Sequence, residues 1–192
     1  MSVKGDKTRE SILNASYGLF AKKGFKQVTM KDVCEATNMS RGGLYSHFSS
    51  TGQLFEALLE RMTEKDAMDF REHMENRIPA AVILDDVFKR MENEMKNPQD
   101  SLSMAMYEYA EIINSDVMER LNKISEKKWK QLLLYGIENG EFQNVNVDGI
   151  VNTILYSYQG VRMWSRIVPM KPKVFHSITE NIKTQLLGGA QR

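Results

Sequence analysis

Residues 41–48, Arg-Gly-Gly-Leu-Tyr-Ser-His-Phe, set two apolar side chains among six small or polar ones. On a helix Leu44 and Phe48 fall on one face, four residues apart, and anchor it. Arg41, Gly42, Gly43, Tyr45, Ser46 and His47 remain outside, as a helix that reads the DNA major groove requires. Two adjacent glycines in a short helix cost up to about 1 kcal/mol each relative to alanine. Close approach to a DNA strand would justify that cost; a merely loosened surface turn is the alternative. Tyr45 can lay its ring on a sugar while its hydroxyl meets a phosphate, or else close a small core as a half-buried aromatic.

Other chemistries find no support. No nucleophile–base set or phosphate-binding glycine loop is present, so no catalytic residue and no enzyme activity are expected. His73 and His176 are far in sequence from His47, and no Cys/His/Asp spacing suggests zinc. His47 therefore reads as a phosphate donor, with no metal and no cofactor expected.

The elements that must hold this stretch read as helices. The first spans about Thr8 to Lys23, with inward rows Ile12, Ala15, Leu19 and Leu13, Ser16, Phe20. Gly24 supplies a left-handed stop, and Phe25 can fold back on Phe20. Thr29 caps the second helix with Asp32 three residues on. Asn38-Met39 is the turn, since asparagine tolerates the left-handed backbone. Ser40 caps the third, short helix. Ser50 with Gln53 opens a long fourth helix to about Asn76. Pro79 and Pro98 punctuate the remainder of the chain, and helices are expected at about 80–96, 100–113, 116–139, 147–168 and 172–187. Ser115 is the expected cap of the third of these and Gly140 its stop. Three short helices with a tight turn between the second and third make a helix-turn-helix.

Composition agrees. The 192 residues include only four prolines and twelve glycines, which favours an all-α fold. Residues 1–52 hold eight Lys/Arg against four acids, a net of +4, leaving −3 for the rest. A basic head on an acidic body suits a chain that places one end on a polyanion, although solvated charges also cluster by chance. Cys34 stands alone, so no disulfide forms within the chain. No apolar run approaches the roughly 20 residues of a membrane span, and no apolar leader is present. A cytoplasmic protein without membrane contact is expected.

Thr29 to Phe48, TMKDVCEATNMSRGGLYSHF, resembles the signature of the tetracycline-repressor (TetR) family of bacterial regulators. The Phe20, Gly24, Phe25 corner and Leu54 match as well, and the likeness covers about residues 6–66. It implies a helix-turn-helix head at 1–52, joined by the long fourth helix to an effector-binding and dimerisation body at 53–192. It implies phosphate contacts from Thr29, Tyr45 and His47, with bases read by Ser40, Arg41, Gly42, Gly43 and Ser46. Lys31 and Lys26 add backbone contacts by charge. Thr51 stands where the family usually has a phosphate-contacting lysine, which weakens the grip there. The implied partners are double-stranded DNA at a palindromic operator, a second copy of the chain, and a small effector. The expected function is a homodimeric repressor; a ligand-independent accessory factor with the same head is the alternative.

In the body, the last two helices carry apolar rows that in the family pair with their copies. Ile154, Tyr158, Val161, Phe175, Ile178 and Ile182 are the expected interface, a role compatible with packing inside one chain. An effector cavity is expected to draw on Met104, Tyr107, Glu108 and Glu111, with Trp129, Tyr156 and Trp164. Met and aromatic side chains line adaptable pockets but also fill cores. Two carboxylates beside an aromatic ring would favour a lipophilic or cationic ligand. Read otherwise, both acids lie on a solvated face.

Overall fold

A computed structural model describes residues 3–96, 101–113, 116–171 and 173–188. Among them are nine helices and no strand: α1 (Val3–Lys23), α2 (Met30–Thr37), α3 (Arg41–Tyr45), α4 (Thr51–Glu75), α5 (Ala80–Met95), α6 (Ser103–Ile112), α7 (Val117–Glu138), α8 (Val147–Trp164) and α9 (Lys173–Leu187). The fold is all-α, as the composition and periodicity imply. Three boundaries differ from the sequence reading by more than a residue or two. α1 begins at Val3 instead of near Thr8, α6 begins at Ser103 instead of about 100, and α8 ends at Trp164, four residues early. Pro98 and Ser115 lie outside the described residues.

The chain forms two compact units, Met1–Met62 with Gln99–Glu119, and Thr63–Pro98 with Arg120–Arg192. That division differs from a cut between residues 52 and 53 in two ways. α4 belongs with the head as far as Met62, and so does α6, although α5 separates it from the rest in sequence. The physical reason is burial. Leu54, Phe55 and Leu58 of α4 and Leu102, Ala105 and Tyr109 of the α6 region are all at most 1% exposed. Phe55 and Tyr109 lie 5.4 Å apart by ring centroids, and both meet Phe25. An aromatic cluster of this kind buries large area and adds edge-to-face attraction.

The second unit is built on α5, α7, α8, α9 and the later part of α4. Its core runs through Phe70, Phe88, Trp129, Leu132, Ile154 and Phe175. Gly140 ends the α7 region with φ +73°, the left-handed stop expected of it. Gly136 is needed for another reason: a Cβ there would lie 2.2 Å from the Phe142 ring. Glu141, in the loop after α7, accepts from the backbone N–H groups of Ala80 and Ala81 at 3.0 and 3.1 Å. It thereby caps α5, whose N-cap residue Pro79 supplies no side-chain hydrogen bond.

Candidate nucleic-acid interface

Local side-chain chemistry fixes each end of the short helices. Gly24 takes φ +77°, its N–H returns to the Phe20 carbonyl at 2.9 Å, and Phe25 stacks on Phe20. Thr29 begins α2 with a full capping box: its hydroxyl oxygen accepts from the Asp32 N–H, and its own N–H donates to the Asp32 carboxylate at 2.8 Å. Lys23 lies 2.6 Å from the same carboxylate. The Lys23 and Thr29 hydrogen bonds hold the Asp32 pKa well below the usual carboxylate range. Asn38 turns the chain at φ 53°, and Ser40 accepts from the Gly43 N–H at 3.2 Å to start α3. Leu44 and Phe48 are fully buried and pin α3 from beneath. Ser50 caps α4 through the Gln53 N–H; the Gln53 side chain returns to the Ser49 N–H, one residue earlier than the expected reciprocal bond.

Arg41, Gly42, Tyr45 and Ser46 of the α3 stretch are exposed, with Gly43 and His47 partly covered. The Arg41 guanidinium sits 5.9 Å from the Tyr45 ring centroid and orients a phenol that is 43% exposed. The two glycines are not equivalent. A Cβ on Gly43 would come 3.2 Å from the Ser40 hydroxyl that caps the helix. A Cβ on Gly42 would meet nothing within 4 Å. Nothing inside the chain therefore requires glycine at 42, whereas position 43 is tight because of the cap. Ser46 donates its hydroxyl to the Gly43 carbonyl at 2.7 Å, leaving only its acceptor side for another molecule.

Thr29 is more committed than the resemblance implies. Both its backbone N–H and its hydroxyl, at 2.8 and 2.5 Å, donate to Asp32, so a phosphate there must compete with a carboxylate. Lys31 is exposed and sits 3.8 Å from Glu35. Thr51 is the first residue of α4 and partly exposed. Lys26, a backbone contact by charge alone, is 3.2 Å from Glu111.

That last pair redirects the expected effector residues on α6. Glu108 accepts from the Lys26 N–H at 2.9 Å, and its carboxylate covers Gly24 so closely that a Cβ would approach within 2.5 Å. Glu111 pairs with the Lys26 ammonium and with Tyr107; those hydrogen bonds hold its pKa low. Within the first unit Glu111 is thus paired with a cation, while Glu108 holds a backbone N–H. Met104 is partly buried and Tyr107 is 52% exposed. Sequence reading missed Glu108 as a partner of the head because the contact spans 82 residues.

In the second unit the expected pocket and interface residues take different settings. Tyr156 and Trp164 stand 64% and 54% exposed, while Trp129 is buried edge-on against Phe70. Ile154, Val161, Phe175 and Ile182 are buried in the chain's own core, with Tyr158 and Ile178 packed against it. Among the described residues, no group of three or more His, Cys, Asp or Glu is arranged to hold a metal ion, and no helix is long and apolar enough to cross a membrane.

Comparisons with known proteins point the same way as the head geometry. The sequence profile of bacterial regulatory proteins of the tetR family matches residues 12–58. The HTH-type transcriptional regulator YfiR of Bacillus subtilis is 30% identical over 169 residues, spanning 79% of this chain and 82% of that protein. The HTH-type transcriptional repressor KstR2 of Mycolicibacterium smegmatis is 24% identical over 178 residues, 85% of this chain and 80% of that protein. The crystal structure of a TetR-family regulator from Agrobacterium tumefaciens superposes with a TM-score of 0.76 at 13% identity, covering 95% of this chain and 99% of that one.

Proposed function

Because the chain belongs to the tetR family of bacterial regulatory proteins and is a transcriptional regulator of that family, we propose that it acts in the cytoplasm as a homodimeric repressor, released from a palindromic operator by a small lipophilic ligand. The observation that carries the DNA-reading half is Gly42, an exposed glycine with open space where a side chain would stand. It lies between the Ser40 cap and the buried Leu44 anchor, so α3 is held firmly while its outer surface stays low. A low surface lets backbone and neighbouring side chains reach base edges in the major groove. Arg41 reads bases at one edge of that surface; Tyr45 and His47 meet phosphates and set register.

One five-residue helix contacts few base pairs, so a single head binds weakly. Two heads in successive major grooves, about 34–36 Å apart, give a specific site. The second copy is held by the exposed stripe of α8 and the turn after it: Tyr156, Gly160, Trp164 and Ile167, spaced at helical intervals and open to solvent. This stripe adds to the expected rows of Ile154 and Phe175, whose side chains also pack in the chain's own core. Release follows from α6, whose Glu108 holds the Gly24–Lys26 corner; a ligand acts only by preferring one arrangement of that helix over another.

The test begins with selection of operators from random duplex DNA by the full-length protein. Footprinting should show a two-fold symmetric site, and light scattering a dimer that Trp164→Glu disperses. Gly42→Ala should keep or slightly raise the melting temperature, since alanine favours helix, yet weaken binding to the selected site. An asymmetric half-site bound by a monomer, or a Gly42→Ala protein that binds DNA unchanged, refutes the reading.

A further inference from the structure

Arg9 of α1 lies against the end of the DNA-reading segment. Its guanidinium stands 4.3 Å from the centroid of the Phe48 ring, and one of its N–H groups donates to the His47 carbonyl at 3.5 Å. Phe48 is fully buried while Arg9 stays partly exposed, so the cation sits at the outer edge of the head core. Several other cations of the head are answered by acids. Arg61 meets Glu10 at 2.7 Å, Lys23 meets Asp32 at 2.6 Å and Lys26 meets Glu111 at 3.2 Å. Among the described residues no carboxylate pairs with Arg9.

Its two contacts leave most of the side chain's bonding capacity unused. A guanidinium carries five N–H donors in a rigid planar fork. The His47 carbonyl takes one of them, and the Phe48 ring takes a face of the plane without taking a donor. Stacking fixes that plane, so little rotamer freedom is left to lose when an acceptor arrives. The acceptor's identity follows from the neighbourhood. Arg9 is tied to the backbone of His47 itself, 38 residues away in sequence, at the point where the chain leaves α3. Its remaining N–H groups therefore open beside the residue already read as meeting phosphate. A phosphodiester offers two oxygens, which the fork can hold with two parallel charge-assisted bonds.

We infer that Arg9 binds a phosphate of the operator backbone next to the one met by His47, and so adds a charged contact from α1 to the grip of α3. The inference rests on the DNA-binding reading of the head and extends its contact surface to a helix outside the helix-turn-helix pair. A contact of this kind sets register and strength and reads no base. It also supplies charge close to where Thr51, at the start of α4, supplies none.

The experiment uses the full-length protein, its selected operator and a scrambled duplex of equal length and composition. Dissociation constants are measured between about 50 and 200 mM salt. Arg9→Gln should lower the log–log salt slope by about 0.9 per head, about 1.8 for two heads. Both duplexes should lose affinity by a similar factor, about tenfold or more at the lowest salt. Arg9→Lys should restore the slope and only part of the affinity, because a point charge replaces a fork. Arg9→Leu keeps an apolar cover on Phe48 and repeats the charge-free measurement if the Gln variant loses its fold. A purely structural arginine gives another pattern: a lower melting temperature with the slope unmoved. That pattern overturns the proposal, as does a slope that Arg9→Lys fails to restore, or a loss confined to the operator while the scrambled duplex binds as before. Collapse of both charge-free variants also overturns it, since Arg9 then serves the fold. The wild-type protein is measured alongside. Operator binding by wild type with an unmoved slope in the variants defeats this proposal alone, whereas a wild-type protein that selects no operator defeats the regulator reading.

Discussion

The two units satisfy their polar groups over different distances along the chain. In the head, caps are closed by near neighbours: Thr29 by Asp32, Ser40 by Gly43, Ser50 by Gln53, each three residues apart. In the body Asn146 caps α8 locally through the Gly149 N–H, but other polar bonds join remote segments. Glu141 caps α5 from 61 residues away, Thr179 meets Glu92 across 87, and Lys183 meets Asp85 across 98. A local bond forms as soon as its turn forms and needs no tertiary partner. A remote one exists only after the helices pack, and its loop closure must be offset by burial. The head can therefore carry a fixed surface for a repetitive partner such as duplex DNA. The body places several of its charged groups by packing, beside local pairs such as Lys89 with Asp85. The head has remote contacts as well, and α6 makes several of them: Glu108 reaches the Gly24–Lys26 corner from 82 residues away, Glu111 meets Lys26 across 85 and Tyr109 meets Glu56 across 53.

The largest effect is expected at α6. Tyr109→Ala empties a fully buried site among Phe25 and Phe55 and should cost about 3–5 kcal/mol. Hydrogen exchange should show the loss of protection in α1 to α3, not in α8 and α9. If protection falls first in α8 and α9, α6 does not belong energetically with the head.

Glu141→Ala should come next. It leaves the Ala80 and Ala81 N–H groups without their acceptor, at a cost of about 1–3 kcal/mol. Denaturant unfolding measures it, and Glu141→Gln, which keeps one acceptor oxygen, should recover part. An unchanged midpoint for the Ala variant would mean that solvent serves these donors equally well.

Thr29→Ala removes a local cap and should cost about 1 kcal/mol, with weaker DNA binding in proportion to α2 fraying. Its partner adds a pH signature. The Asp32 pKa is depressed in the folded protein, so its contribution is complete above the unfolded value of about 3.9 and drains as pH falls toward the folded one. Asp32→Asn should flatten the acid limb of a stability–pH curve below pH about 4 and leave the neutral region parallel to wild type. A limb of unchanged steepness would show that the capping carboxylate is not held as the geometry has it.

The smallest effect on stability, and a clear one on binding, is expected from Thr51→Lys. It lies at the start of α4 and is partly exposed. One added phosphate contact per head should steepen the salt dependence of operator binding by about 0.9 per contact in log–log slope. An unmoved slope would place residue 51 away from the DNA backbone.

Within the head, most of the structure was legible in the chain itself. Thr29-x-x-Asp32, Asn38, Ser40 and Gly24 each act on backbone no more than four residues away, so spacing alone names the cap and the turn. The register of Leu44 and Phe48 follows from helical period and decides which of residues 41–48 stay outside. The difference between Gly42 and Gly43 was not legible, because it depends on where the Ser40 hydroxyl and Met39 methyl come to rest. In the body, helix positions were readable to within a few residues while side-chain roles were not. Ile154 and Phe175 carry apolar rows that suit either a partner or the chain's own core, and Tyr156 and Trp164 suit either a pocket or a surface. Periodicity says that a helix has an apolar face; it does not say what covers that face.

The sequence by itself determined an all-α chain, the helix-turn-helix and which side chains of its short third helix stay outside, because caps, turns and helical period are local physics written in neighbouring residues. Only the tertiary structure decided that α6 serves the head, that Glu108 and Glu111 meet Lys26, and that Lys128 pairs with Asp66 while Arg162 lies over Tyr158. Those outcomes depend on which remote helices pack together, and charge and burial take their meaning from neighbours that stand far away in the chain.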